Sequence, residues 1–186
     1  MHLGANDRAL GAVPQIRWTG ARQRPSPCVN PGVRDPLSAP FTLAAYLVEG
    51  KGSKDFGALK RMMYREPAVL RALLERLEEM TVGYLNAQID AGAQAVQLFD
   101  TWAGLLGPAD YVEWILPTHQ AIVRRVARDR APFILYVNGG SHVLDPMIES
   151  GADVISLDWR VDLAAAARHI GRRAAVQGNL DPCALA

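Results

Sequence analysis

Short apolar runs in this chain each end in a polar residue that could do chemistry. Asp100 and Thr101 follow Ala95–Phe99, Asn138 follows Phe133–Val137, Asp158 follows Asp153–Leu157, and Asn179 with Asp181 follow Ala174–Gln177. Three carboxylates at such ends could serve acid–base or metal chemistry. Acidic side chains in these turns also cap the next helix or hold the loop, which is the plainer account of Asp100, Asp158 and Asp181. Asn138-Gly139-Gly140 could turn backbone N–H groups toward an anion, or could be a tight turn that needs a positive φ. The four histidines, His2, His119, His142 and His169, are scattered. His119 and His169 fall inside helical patterns and read as packing or surface residues, while His142 lies near the polar ends without a visible partner.

These residues are positioned by alternating elements. Val69, Leu70, Leu73, Leu74, Leu77, Met80, Tyr84, Leu85 and Ile89 recur at helical spacing, so Pro67 to Gly92 is predicted as a helix, with Pro67 in its first turn and Gly92 closing it. A second helix runs from Pro108 to about Asp129, bent or broken near Pro117. A short helix closed by Gly151 and another capped by Asp162 separate the later strands. The order is strand, helix, strand, helix, strand, helix, strand, which builds a parallel sheet covered by helices. A doubly wound open sheet and a (β/α)8 barrel both fit that order. No strand is followed by G-x-G-x-x-G, and polar residues gathered just past the strand ends favour the barrel, whose chemistry sits on that rim. Four strands make half of one, and the regular region is short of the ~250 residues of a whole barrel.

Residues 1–39 differ in kind. They hold five prolines, five arginines and no lysine. Gly20 to Pro36 fits neither a helix nor a central strand, because proline removes donors and blocks helix continuation. The segment is expected to be an irregular extension, disordered or non-homologous to the family of the remaining chain, with the folded part spanning 40–186. A net charge of +1 gives no reason to expect nucleic acid or an acidic membrane surface as partner. No apolar run approaches the roughly 20 residues of a membrane span, and no secretory signal is visible. Cys28 and Cys183 lie far apart, outside any metal-binding spacing, and read as reduced thiols of a cytoplasmic protein.

Four stretches carry a resemblance: P-F-T-L-A-A-Y-L-V-E-G (Pro40 to Gly50), Q-L-F-D-T-W-A-G-L-L-G-P (Gln97 to Pro108), L-D-W (Leu157 to Trp159) and Q-G-N-L-D-P (Gln177 to Pro182). In order and approximate spacing they resemble the uroporphyrinogen decarboxylase family, from Ala39 to the C-terminus. The resemblance implies a (β/α)8 barrel, a cytoplasmic homodimer, and removal of four acetate carboxyl groups from the tetrapyrrole uroporphyrinogen III. The implied product is coproporphyrinogen III, on the route to haem, and neither cofactor nor metal is implied. Tyr46 matches the family's active-site tyrosine, whose phenol binds a substrate carboxylate or passes a proton. Thr101 stands where the family has a Ser or Thr that donates to a substrate carboxylate.

The match stops short of the motif by which the family enters P-F-T; here the residues are Asp35-Pro36-Leu37-Ser38-Ala39. The family's N-terminal arginine segment, its pyrrole-facing aspartate and its C-terminal histidine loop have no counterpart in the sequence. The expectation is therefore about half a barrel, inactive alone. Two alternatives stay open: a corrinoid-linked methyltransferase of the same barrel superfamily, and a non-catalytic half barrel that assembles with a partner. The first would hold zinc through His and Cys, and Cys183 has no neighbouring histidine in sequence.

Overall fold

A computed structural model describes residues 37–185 apart from 51, 52 and 54. Residues 1–36, and the expectation attached to them, lie outside the described residues. The elements in chain order are β1 (Leu37–Ser38), α1 (Pro40–Glu49), α2 (Gly57–Arg65), α3 (Pro67–Asp90), β2 (Val96–Asp100), α4 (Pro108–Asp110), α5 (Leu116–Arg125), β3 (Phe133–Val137), α6 (Leu144–Glu149), β4 (Val154–Ser156), α7 (Leu163–Ile170) and β5 (Ala175–Gln177). The strands lie in the order β1-β2-β3-β4-β5, every neighbouring pair parallel. A doubly wound sheet reverses its strand order at a switch point. This sheet never does, and that separates the two architectures left open by the alternation.

Period-two alternation sorts the strands into two faces. Val96, Leu98, Phe133, Leu135, Val137 and Ile155 join the main core with the helices. Ala95, just ahead of β2, with Ile134 and Val154 and Ala175 against them, forms a separate cluster on the other face. Among the described residues, helices pack on one face and none on the other, as in the wall of a barrel seen in part. Inner-face residues line up in rows across the strands. Gln97, Ile134, Val154 and Ala175 make one row, and Phe99, Tyr136, Ser156 and Gln177 the next toward the strands' C-terminal ends.

Leu37 and Ser38, assigned above to the irregular segment, pair with Leu98 and Phe99, so a strand precedes Pro40 and the described residues form a sheet of five strands. A two-residue strand is too short to show alternation, so its pattern was unreadable. The α3 helix runs as expected, but only one side of its apolar stripe is covered. Leu70, Leu74, Leu85 and Ile89 are buried with Thr81, while Val69, Met80 and Tyr84 are about half exposed.

The bend expected near Pro117 is a π-helical turn over Tyr111–Ile115, joining α4 to α5. Proline has no N–H to offer the preceding turn. The helix widens just ahead of it, and Leu116 N–H donates to the Tyr111 carbonyl, five residues back. A π turn carries one extra residue, so positions eight apart align as positions seven apart, about two turns, would in an α-helix. Tyr111 and His119 consequently share one buried side. The helix ends at Arg125, short of Asp129.

Candidate active site

The site is assembled where α1 crosses the end of β2. One residue, Ala39, separates β1 from α1, and its N–H donates to the Phe99 carbonyl at 2.8 Å. Pro40 then starts the helix, where a missing N–H costs nothing. This places Thr42, 1% exposed, directly over Asp100. The Thr42 hydroxyl donates to Asp100 Oδ1 at 2.8 Å and accepts from the Trp102 N–H at 3.3 Å. Asp100 Oδ2 faces His119 Nε2 at 3.1 Å, and His119 Nδ1 faces the Tyr111 hydroxyl at 3.1 Å. Burial, and secondarily the charge of Asp100, pushes the Tyr111 phenol well above its ordinary range, so it keeps its proton. A carboxylate only accepts, so Nε2–H donates to Asp100, and Nδ1 of that tautomer accepts the Tyr111 O–H.

One turn beyond Thr42, Tyr46 stands 49% exposed with its ring edge-on to Trp102, centroids 6.2 Å apart. Trp102 also packs against Phe56 at 4.8 Å. Thr101, half-buried, is the residue between Asp100 and Trp102. Both expected site residues are therefore held at the end of β2, Tyr46 through the Trp102 ring and Thr101 through the chain. The last residues of the first motif are structural. Glu49 Oε1 accepts from the N–H groups of Ala58 and Leu59 at the start of α2, and Gly50, at φ 65°, closes α1.

The remaining turns are tied to one another. Gly139, at φ 67°, donates its N–H to Asp158 Oδ2 at 2.6 Å. The anion met by the Asn138-Gly139-Gly140 turn is thus the protein's own. Asp158 also accepts from the Arg160 N–H and Nη1, both at 2.9 Å. Asn179 Nδ2 donates to the carbonyls of Asp158 and Val161 at 2.8 and 2.6 Å. Asp181 accepts from the Cys183 N–H at 2.9 Å. The three aspartates do not form a cluster: Asp100 lies under α1, Asp158 locks two turns, and Asp181 holds its own. Asp162 accepts from Ala165 N–H at 2.7 Å and caps α7.

On the inner face, Tyr136 packs on Phe99 with centroids 5.1 Å apart, and its hydroxyl donates to Asn138 Oδ1 at 3.3 Å. Burial foremost, then Asp158, raises the Tyr136 phenol above 10.0, with Arg160 opposing.

Several of these residues escaped the sequence reading. His119, expected as a packing or surface residue, is a buried packing residue whose partners Asp100 and Tyr111 were not foreseen, and His142 has a partner, its Nε2 meeting the Leu106 carbonyl at 2.8 Å. Thr42, Tyr111, Trp102, Tyr136 and Arg160 were not singled out. The one available signal was Thr42, inside the P-F-T motif and four residues before Tyr46, hence on the same helix side.

The sequence profile of uroporphyrinogen decarboxylase (URO-D) matches residues 36–186. The chain belongs to the uroporphyrinogen decarboxylase family. It is 54% identical over 147 residues to the uroporphyrinogen decarboxylase of Pelobacter propionicus, covering 79% of this chain and 43% of that protein. That of Geobacter sp. is 53% identical with the same coverage. That of Gloeobacter violaceus is 52% identical over 151 residues, covering 80% of this chain and 44% of the relative. The chain thus spans less than half the length of these curated relatives. Among solved structures, a methyltransferase from Methanosarcina mazei superposes with a TM-score of 0.68 at 23% identity, covering 78% of this chain and 43% of that one. That likeness shows the fold, a partial (β/α)8 barrel. Among the described residues, no helix is long and apolar enough to cross a membrane.

Proposed function

We propose that this chain is a portion of a uroporphyrinogen decarboxylase and contributes Tyr46 and Thr101 to the substrate site. The reaction is cofactor-free decarboxylation of the four acetate side chains of uroporphyrinogen III, giving coproporphyrinogen III. The observation that carries the reading is the docking of α1 on β2. Thr42 bonds both Asp100 and the Trp102 N–H, and the half-exposed Tyr46 ring packs edge-on against the Trp102 indole, next in the chain to Thr101.

Losing carbon dioxide from an acetate on a pyrrole leaves an electron pair that needs a sink. A pyrrole protonated on carbon provides it: the carbon–carboxylate bond breaks, the pair enters the ring, and carbon dioxide leaves. The exocyclic carbon then takes a proton to become methyl, and the ring carbon gives up the proton it had gained, which restores the pyrrole. The protein's part is to hold the carboxylate and stabilise the cationic ring. Thr101 O–H donates to a substrate carboxylate, and the Tyr46 phenol donates to another or relays the proton. The buried carboxylate of the site, Asp100, has its oxygens bound by Thr42 and His119, so they face the protein's own donors.

The barrel part is taken to run to residue 186 from β1, with the preceding residues as a separate extension. A homodimer and a cytoplasmic location go with the reading, and sizing and cell fractionation test them. Activity is tested by incubating the protein anaerobically with uroporphyrinogen and separating products by carboxylate number. The 186-residue chain alone is expected to turn over little or nothing. It is expected to bind uroporphyrin, the stable oxidised octacarboxylate, saturably, with Tyr46→Phe and Thr101→Ala each weakening that binding. Absence of saturable binding by the wild-type chain would overturn the proposal.

A further inference from the structure

The turn that leaves β4 carries a cation that the chemistry above does not use. Four of the turns after the strands begin with Ala39, Thr101–Gly107, Asn138–Gly140 and Gly178–Asp181, none holding Lys or Arg. The fifth, Leu157–Asp162, holds Arg160.

Arg160 is fixed in position. Its Nη1 donates to Asp158 Oδ2 at 2.9 Å and approaches Asn138 Oδ1 at 3.5 Å. Its guanidinium carbon lies 4.0 Å from the centroid of the Trp159 ring. These contacts carry the guanidinium from the end of β4 across to the end of β3. There Asn138 Oδ1 also accepts from Tyr136, an inner-face residue, so the cation stands over the barrel mouth. The Asp158 side chain that fixes it is 1% exposed, whereas that of Arg160 is 49% exposed. The fixing carboxylate is withdrawn from solvent and the cation is not. Among the described residues, Nε and Nη2 of Arg160 make no hydrogen bond.

The geometry points to Arg160 as a binding subsite for one carboxylate of an acidic small molecule, gripped by the Nε/Nη2 edge of the guanidinium. That edge is a planar fork matched to the two oxygens of a carboxylate. Stacking on Trp159 and the bond to Asp158 set the plane of the fork before ligand arrives, so little side-chain freedom is lost on binding. Lysine at this position would keep the charge and lose the fork. The inference rests on the decarboxylase reading, whose substrate carries eight carboxylates.

Titration of the wild-type chain, Arg160→Gln and Arg160→Lys with uroporphyrin, followed by fluorescence, tests the subsite. It is run at a temperature where circular dichroism shows all three folded alike. Arg160→Gln is expected to weaken binding about tenfold or more, the scale of a charge-assisted pair. Arg160→Lys is expected to recover only part of the loss. If Arg160→Gln does not fold, Arg160→Lys carries the test, since it keeps a cation beside Asp158. A several-fold loss then supports the subsite, and wild-type affinity overturns it. If the wild-type chain binds uroporphyrin and Arg160→Gln binds it equally well, the subsite falls and the decarboxylase reading stands. If the wild-type chain shows no saturable binding, the decarboxylase reading falls and takes the subsite with it.

Discussion

Replacing Thr42 by valine removes one hydroxyl and keeps nearly the same volume, so it isolates the polar link between α1 and β2. Two bonds are lost: the donation to Asp100 Oδ1 at 2.8 Å and the acceptance from Trp102 N–H at 3.3 Å. The first joins a buried carboxylate, and bonds to charged groups contribute about 1.5–3 kcal/mol net. Asp100 is 0% exposed, so water cannot replace the donor. The longer second bond adds about 0.5–1 kcal/mol. Thr42→Val should therefore destabilise the protein by about 2–4 kcal/mol. Thr42→Ser keeps the hydroxyl and loses a methyl, costing about 1 kcal/mol. Urea titration followed by tryptophan fluorescence reads both, as a midpoint shift at constant slope. A cycle with Asp100→Asn should return a coupling energy of about 1–3 kcal/mol. A valine variant no less stable than the serine variant, or no coupling to Asp100, would show that Thr42 does not hold the site together.

Tyr111→Phe leaves His119 Nδ1 without its donor and should cost about 1–3 kcal/mol by the same urea titration. The raised phenol of Tyr111 makes the fold sensitive to alkali: its contribution is intact below the ordinary 10.0 and is lost as pH climbs through the higher folded value. Spectrophotometric titration should accordingly find one tyrosine that ionises only with unfolding. Gly104→Ala and Gly83→Ala should move stability in opposite directions. A Cβ on Gly104 would lie 2.0 Å from the Asn138 carbonyl oxygen and force the β2 and β3 turns apart, costing about 1–3 kcal/mol. A Cβ on Gly83, in the middle of α3, meets nothing within 4 Å and should stabilise by about 0.5–1 kcal/mol. Thermal unfolding of the two variants decides it; equal effects would show that the close approach of the two turns is absent in solution.

Much of the fold was legible because its signals are local. Phe133–Val137 is a run of large apolar residues bounded by turn chemistry, and the strand has those limits. Pro117 announced a break because a missing N–H acts within one turn. Asp162 is a good N-cap in any context, and it caps α7. The extent of β1 was not legible, since two residues pair only because β2 lies beside them. The exposed side of α3 was equally hidden: Val69 and Met80 have the right spacing, but spacing does not say how wide a face the neighbours cover.

The site divides the same way. Tyr46 and Thr101 could be picked out from motif residues alone, and they stand at one strand end. Asp100 could be noticed, and the sequence offered both a reactive and a structural carboxylate there, with the latter the plainer account. Its partners could not be found. Thr42 is 58 residues away in sequence and His119 is 19, and the latter reaches Tyr111 only because a π turn shifts the helix phase. Arg160 was not singled out, because its contacts with Trp159, Asp158 and Asn138 show only in the folded chain. Residue type and short-range spacing act through the backbone of one element, so order, strand limits, caps and the parallel alternation were written in the chain. Which buried polar groups meet, which apolar side is covered and which cation points into the mouth depend on the distance between elements remote in sequence, and packing alone sets that distance.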